Sequence, residues 1–101
     1  MRHEFHPDAR VEYLEAVARY EERSAGLGAR FTVEIEAALQ RILDGPQRWR
    51  VMAEDVRRCR AHIFPYGVLY TIEEDYILIV AVMHRRQRPG YWRSRLTSNQ
   101  H

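Results

Sequence analysis

The sequence has no lysine: all sixteen of its basic residues are arginine. Arginine grips phosphate or carboxylate with two parallel hydrogen bonds and stacks on aromatic planes, so the chain meets anions through planar, bidentate contacts. A coding sequence rich in G and C would give the same bias for a blander reason. With a single cysteine, Cys59, there is no internal disulfide, and packing must hold the fold, as suits a reducing compartment. Long apolar runs are also missing. The longest, residues 76–83, has eight residues, against the roughly 20 that a membrane-spanning helix needs. Met1-Arg2-His3-Glu4 lacks a signal peptide's hydrophobic core, so the expectation is a cytoplasmic protein without membrane association. What is present is the material of one folded domain: 46% apolar residues, two tryptophans, six tyrosines and three phenylalanines, with 30% charged residues to coat the surface. The domain is expected over residues 1–96, with 97–101 as a frayed tail.

The net charge of +2 is unevenly placed. Residues 1–47 carry six arginines and nine acids; residues 48–101 carry ten arginines and five acids, and no acid follows Arg85. A field of one sign at one end of a small domain attracts polyanions or an acidic protein partner.

Hydrophobic spacing predicts the elements. A short strand over residues 2–6 leads to Pro7-Asp8, a helix start. Ala9, Tyr13, Ala16, Val17 and Tyr20 form one helical stripe; after a break at Ser24-Ala25-Gly26, Leu27, Phe31, Ile35, Ala38, Leu39, Ile42 and Leu43 form another, stopped by Gly45-Pro46. Two helices joined so closely make an antiparallel hairpin. Residues 46–55 read as a loop with Trp49 against the flank. Cys59, Ala61 and Ile63 then alternate with Arg58, Arg60 and His62, the period of a half-buried strand with a cationic outer face. Phe64-Pro65-Tyr66-Gly67 reads as a turn, 68–72 as a strand, 73–75 as an acidic turn, and 76–83 as a central strand apolar on both faces. The predicted fold is therefore α+β: an N-terminal strand, a helix hairpin on one face of an antiparallel sheet of about four strands, and a short C-terminal turn or helix around Tyr91-Trp92-Arg93.

This order of elements, with an arginine-rich last third, resembles the RelE/ParE superfamily of toxins from type II toxin–antitoxin (plasmid stabilisation) modules. The segments that carry the resemblance are Phe5-His6-Pro7-Asp8-Ala9, Gly26-Leu27-Gly28-Ala29-Arg30-Phe31, Val56-Arg57-Arg58, Phe64-Pro65-Tyr66-Gly67-Val68-Leu69-Tyr70, and Ala81-Val82-Met83-His84-Arg85-Arg86 with Arg88-Pro89-Gly90-Tyr91-Trp92. The resemblance covers residues 4–95. The resemblance implies a growth-arresting toxin neutralised by a cognate antitoxin whose acidic and apolar C-terminal segment wraps it. It also leaves two mechanisms open: messenger RNA cleaved on the ribosome without a metal, or DNA gyrase poisoned without RNA cleavage. A non-toxic nucleic-acid-binding or adaptor module, and a degenerate toxin that only binds antitoxin, are the rival readings.

Metal-free RNA cleavage needs a base, an acid and cations around one phosphate. The candidate catalytic residues are His84 at the end of the central strand, Arg85 beside it, and Tyr91; the last two align with the RNA cutters' arginine and C-terminal tyrosine. Candidate target-binding residues are Arg58, Arg60, Arg86, Arg88 and Trp92. Gly67 departs from the pattern, since the RNA cutters carry arginine there, and their active-strand lysines have no counterpart here. Each residue also has a plain structural role open to it: His84 as a strand-end hydrogen-bonding group, the arginines as a solvated edge, Tyr91 and Trp92 as packing for the C-terminal turn. Cys59 belongs to the core. No metal site or cofactor is expected; His3 and His6 point to opposite strand faces, and no phosphate-binding glycine loop follows Gly26 or Gly28.

Overall fold

Proline has no amide to leave unpaired in a first helical turn, and helix α1 (Pro7–Arg23) starts at Pro7. His6 caps it: Nδ1 accepts a hydrogen bond from the Asp8 amide at 3.1 Å. Gly26, at a φ of 87°, turns the chain into helix α2 (Leu27–Asp44). The hairpin is clamped by the Glu21 carboxylate, which accepts from the amides of Gly26 and Gly28 at 2.9 and 3.0 Å. At Gly28 the two helices nearly touch, for a Cβ there would stand 2.7 Å from the Val17 carbonyl oxygen.

The structure, a computed structural model, describes residues 1–97, Thr97 by its backbone alone; the rest of the tail expected over 97–101 lies outside the described residues. The sheet has strands β1 (Arg2–Phe5), β2 (Val51–Ala53), β3 (Val56–Arg60), β4 (Tyr66–Ile72) and β5 (Tyr76–His84), in the order β1-β5-β4-β3-β2. A short helix, α3 (Arg93–Thr97), follows. The α+β expectation holds, with three refinements. Strand β1 runs parallel to β5, so the sheet is mixed. The segment 46–55 contains a 3₁₀ turn, Pro46–Arg48, and the fifth strand β2, which at three residues is too short to show a period. Strand β3 ends at Arg60, and the chain bends through 61–65, leaving Ile63 65% exposed where alternation placed it inward.

Two apolar layers sandwich the sheet. Phe31, Ile35, Leu39 and Ile42 from α2 meet Cys59, Val68, Tyr70, Ile77 and Ile79 on one face. Val56, Leu69, Val80 and Met83 on the other face are covered by Trp92, with Leu96 beside it. One register shift governs the upper half of β5. Tyr70 pairs with Ile79 but Leu69 pairs with Ala81, so Val80 is an extra residue, a β-bulge. Val80 and Ala81 both face the second layer, and the alternation restarts with Val82 and His84 on the helix face.

Strand β1 covers β5 only along residues 76–79, its ladder closing where the His6 amide donates to the Ile79 carbonyl at 2.9 Å. Above that point side chains complete the edge. Arg95 donates to the Val80 carbonyl at 2.9 Å, and Glu12 accepts from the Val82 amide at 3.0 Å.

Candidate anion-binding clefts

The bulge aims His84 toward the helix hairpin, where it stands edge-to-face with Tyr66, its partner across the β4–β5 pair, at 5.1 Å between ring centroids. The side chains of Arg19 and Arg23 on α1, Arg30 on α2 and Arg86 after β5 converge with His84 on a cleft of about 620 Å³. Arg19 donates to the Tyr66 hydroxyl at 3.0 Å. The floor and rim are apolar, from Leu27, Ile63, Phe64 and Pro65, and among the described residues no carboxylate lines the cleft. His84 Nδ1 accepts from the Arg86 amide at 3.0 Å. Burial first, then the charges of Arg86, Arg85, Arg19 and Arg23, hold this imidazole below its ordinary pKa.

A second cleft, of about 860 Å³, lies at the edge of β3 that β2 leaves uncovered. Arg41, Arg50, Arg58, Arg60 and His62 line it, again without an acid among the described residues. Arg58 and Arg60 pair with Leu69 and Gly67 across β3–β4, and so stand on the sheet face opposite His84. A Cβ added at Gly67 would meet Cγ and Cδ of Arg58 at 3.0 Å. The stem of Arg58 therefore occupies the space that a side chain at position 67 would take. Burial, then the charge of Arg60, lowers the Arg58 pKa.

Tyr91 lines neither of these two clefts. Its hydroxyl donates to Glu12 Oε2 at 2.5 Å, and Arg95 reaches the same carboxylate with Nη1 and Nη2 at 2.9 and 2.8 Å. Burial and the neighbouring carboxylate push the phenol well above its ordinary pKa. A smaller cleft of about 250 Å³ joins Tyr91 and Glu12 to Arg19, Tyr66 and His84, so His84 and Tyr91 share one rim.

The candidate residues thus divide. His84 and Arg86 come together on the helix face; Arg58 and Arg60 come together on the other. Arg85 and Arg88 are exposed in the loop after β5 and line none of these clefts. Trp92, expected to contact the target, is 2% exposed within the second apolar layer, because the C-terminal turn needs a large side chain to cover Leu69 and Val80. Arg19, Arg23, Arg30, Tyr66 and Glu12 were not anticipated. Arg19 and Arg23 are one helical turn apart off the apolar stripe of α1, a pair of like charges whose spacing was the available signal.

Residues 4–89 match the family model described as the ParE toxin of the type II toxin–antitoxin system, parDE. The chain belongs to that family. It is accordingly a toxin component of a type II module, and the family implies a cognate antitoxin as its partner. A search of curated proteins returned no match. Both cationic clefts fall inside the segment matched to this toxin family, whereas Tyr91, Trp92 and Arg95 lie beyond it.

Proposed function

We propose that this toxin arrests growth by binding its target, DNA gyrase, rather than by cutting RNA, and that a cognate antitoxin neutralises it. The observation that carries this reading is that the sheet separates the candidate proton-moving residue from two of the candidate target-binding arginines. His84, the group best suited to move a proton near neutral pH, is on the helix face, while Arg58 and Arg60 are on the opposite face. Tyr91 holds its proton more tightly than a free phenol and gives it to Glu12 in a hydrogen bond. An in-line attack at a single phosphate needs base, acid and cations within hydrogen-bond reach of that phosphate. Two separate arginine clefts suit contacts with a large anionic or acidic surface instead.

RNA cleavage is the second reading, and one observation favours it: Arg58 lies over Gly67 and supplies a cation close to where the RNA cutters carry theirs. Purified toxin separates the two. The gyrase reading predicts inhibited supercoiling and accumulated cleaved DNA, with messenger on translating ribosomes left intact; cleavage in the ribosomal A site with supercoiling unaffected overturns it.

A further inference from the structure

Helix α1 has two apolar stripes, and the core uses only one. Ala9, Tyr13, Ala16, Val17 and Tyr20 pack into the helix–sheet layer. On the outer face, Val11 is 51% exposed and Leu14 58%, and exposed Ala18 stands one turn further on. A spacing of three and then four along one narrow line is the seam of a two-helix contact. None of the three residues lines any of the three clefts described above. Ser98, Asn99, Gln100 and His101, which end the chain, carry no aliphatic side chain that could cover them.

The charges beside the seam indicate what fits it. In heptad terms Val11 and Ala18 are a positions and Leu14 is a d position, and a β-branched residue at a with leucine at d favours a parallel pair of helices. Exposed Arg10 and Glu15 are then the flanking g and e positions. In a parallel pair of identical helices each g lies against the following e of the other helix, so Arg10 meets Glu15 of the second copy, twice over. An antiparallel pair sets e beside e, and Asp8 would face Glu15 across the seam, like charge against like. Among the described residues, neither Arg10 nor Glu15 has an ion-pair partner in contact. Glu15 feels the charge of Arg19 one turn on, but that guanidinium donates to the Tyr66 hydroxyl.

We propose that two copies of this chain associate side by side through α1, in parallel, with Val11, Leu14 and Ala18 each against its counterpart and Arg10 paired with Glu15 of the other copy. The seam is short. A stable dimer buries about 800 Å² on each partner, and the outer face of residues 10–18 offers less, so the dimer forms at high concentration and separates on dilution. It uses none of the residues that line the two arginine clefts, and each dimer therefore carries both clefts in duplicate.

The test is sedimentation equilibrium of the full chain over a range of concentrations. The expected result is self-association whose dissociation constant Leu14→Ser raises about tenfold or more, because two leucines lose their cover. Val33→Ser, at a side chain on α2 that is 66% exposed and outside the seam, should move it less than about twofold. Arg10→Glu and Glu15→Arg should each weaken association about tenfold, since each sets two pairs of like charges together. An equimolar mixture of those two variants should recover it, and so should one chain carrying both changes; misfolded variants would not. A monomer at every concentration up to about 1 mM, equal effects of Leu14→Ser and Val33→Ser, or no recovery in the mixture would overturn the proposal. Association of the doubly changed chain well beyond that of the wild type would mean antiparallel pairing, with Asp8 relieved of a like charge, and would overturn it too. None of these measurements involves toxicity, so their failure leaves the functional reading as it was.

Discussion

Tyr91 donates its phenolic hydrogen to Glu12 at 2.5 Å, across 79 residues of sequence, and thereby fastens the C-terminal turn to helix α1. Arg95 joins the same carboxylate, and Glu12 also accepts from the Val82 amide at the uncovered edge of β5. One acid thus serves a strand edge and two side chains. Glu12→Ala strips the Val82 amide and the Tyr91 hydroxyl of that acceptor and should destabilise the fold by about 1–3 kcal/mol in denaturant titration. Exposed Glu22→Ala should change stability by no more than about 0.5 kcal/mol. Equal effects at the two positions would show that the Glu12 contacts contribute nothing.

The helix–sheet layer sets a second expectation. Leu39, 3% exposed, belongs to the same buried cluster as Ile79. Leu39→Ala should cost about 2–5 kcal/mol through lost transfer energy and the cavity left behind. A loss under about half a kcal/mol would place α2 elsewhere.

His84 gives stability a pH dependence of known sign. Its pKa is lowered in the folded chain by burial and by Arg86, Arg85, Arg19 and Arg23, so the unfolded chain takes up a proton more readily. The neutral ring's contribution is full above the unfolded value of about 6.5 and is lost as pH falls through the lowered folded value. Protonation would also end the hydrogen bond that Nδ1 accepts from the Arg86 amide. Wild-type stability should therefore fall more steeply than that of His84→Gln as the pH is taken from about 7 to 5. Parallel curves for the two proteins would contradict the assigned environment.

Gly67 and Arg58 should behave as one unit. A methyl at position 67 must displace the Arg58 stem, which is flexible and able to yield, while alanine suits a strand better than glycine by about 0.5–1 kcal/mol. The overpacking and propensity effects oppose each other, so Gly67→Ala should leave stability within about 1 kcal/mol. If Arg58 serves target inhibition, Gly67→Ala and Arg58→Ala should each weaken it, and the double variant should be no worse than Arg58→Ala alone. Additive losses would show that the two positions act separately.

Much of this was legible in the sequence, for reasons tied to particular residues. The stripes on α1 and α2 have the full helical period and end at Gly26 and Gly45-Pro46, so both helices could be read directly. Strand β2 could not, because three residues carry no period. Nor could the facing of His84: an unbroken alternation from Ile77 and Ile79 puts residue 84 on the second layer, and the bulge at Val80 reverses it. That reversal puts His84 on the face opposite Arg58 and Arg60. Trp92 had two readings, target contact and packing for the C-terminal turn, and the need to cover Leu69 and Val80 decides for packing.

The most direct test of the central claim is a paired assay of purified toxin: DNA supercoiling by gyrase, and integrity of messenger on translating ribosomes. The account predicts inhibited supercoiling with cleaved DNA accumulating, intact messenger, and Tyr91→Phe as inhibitory per folded molecule as the wild type. Messenger cut in the ribosomal A site, slowed about 10²-fold or more by Arg85→Ala as when a transition-state charge loses its partner, with supercoiling untouched, would contradict it.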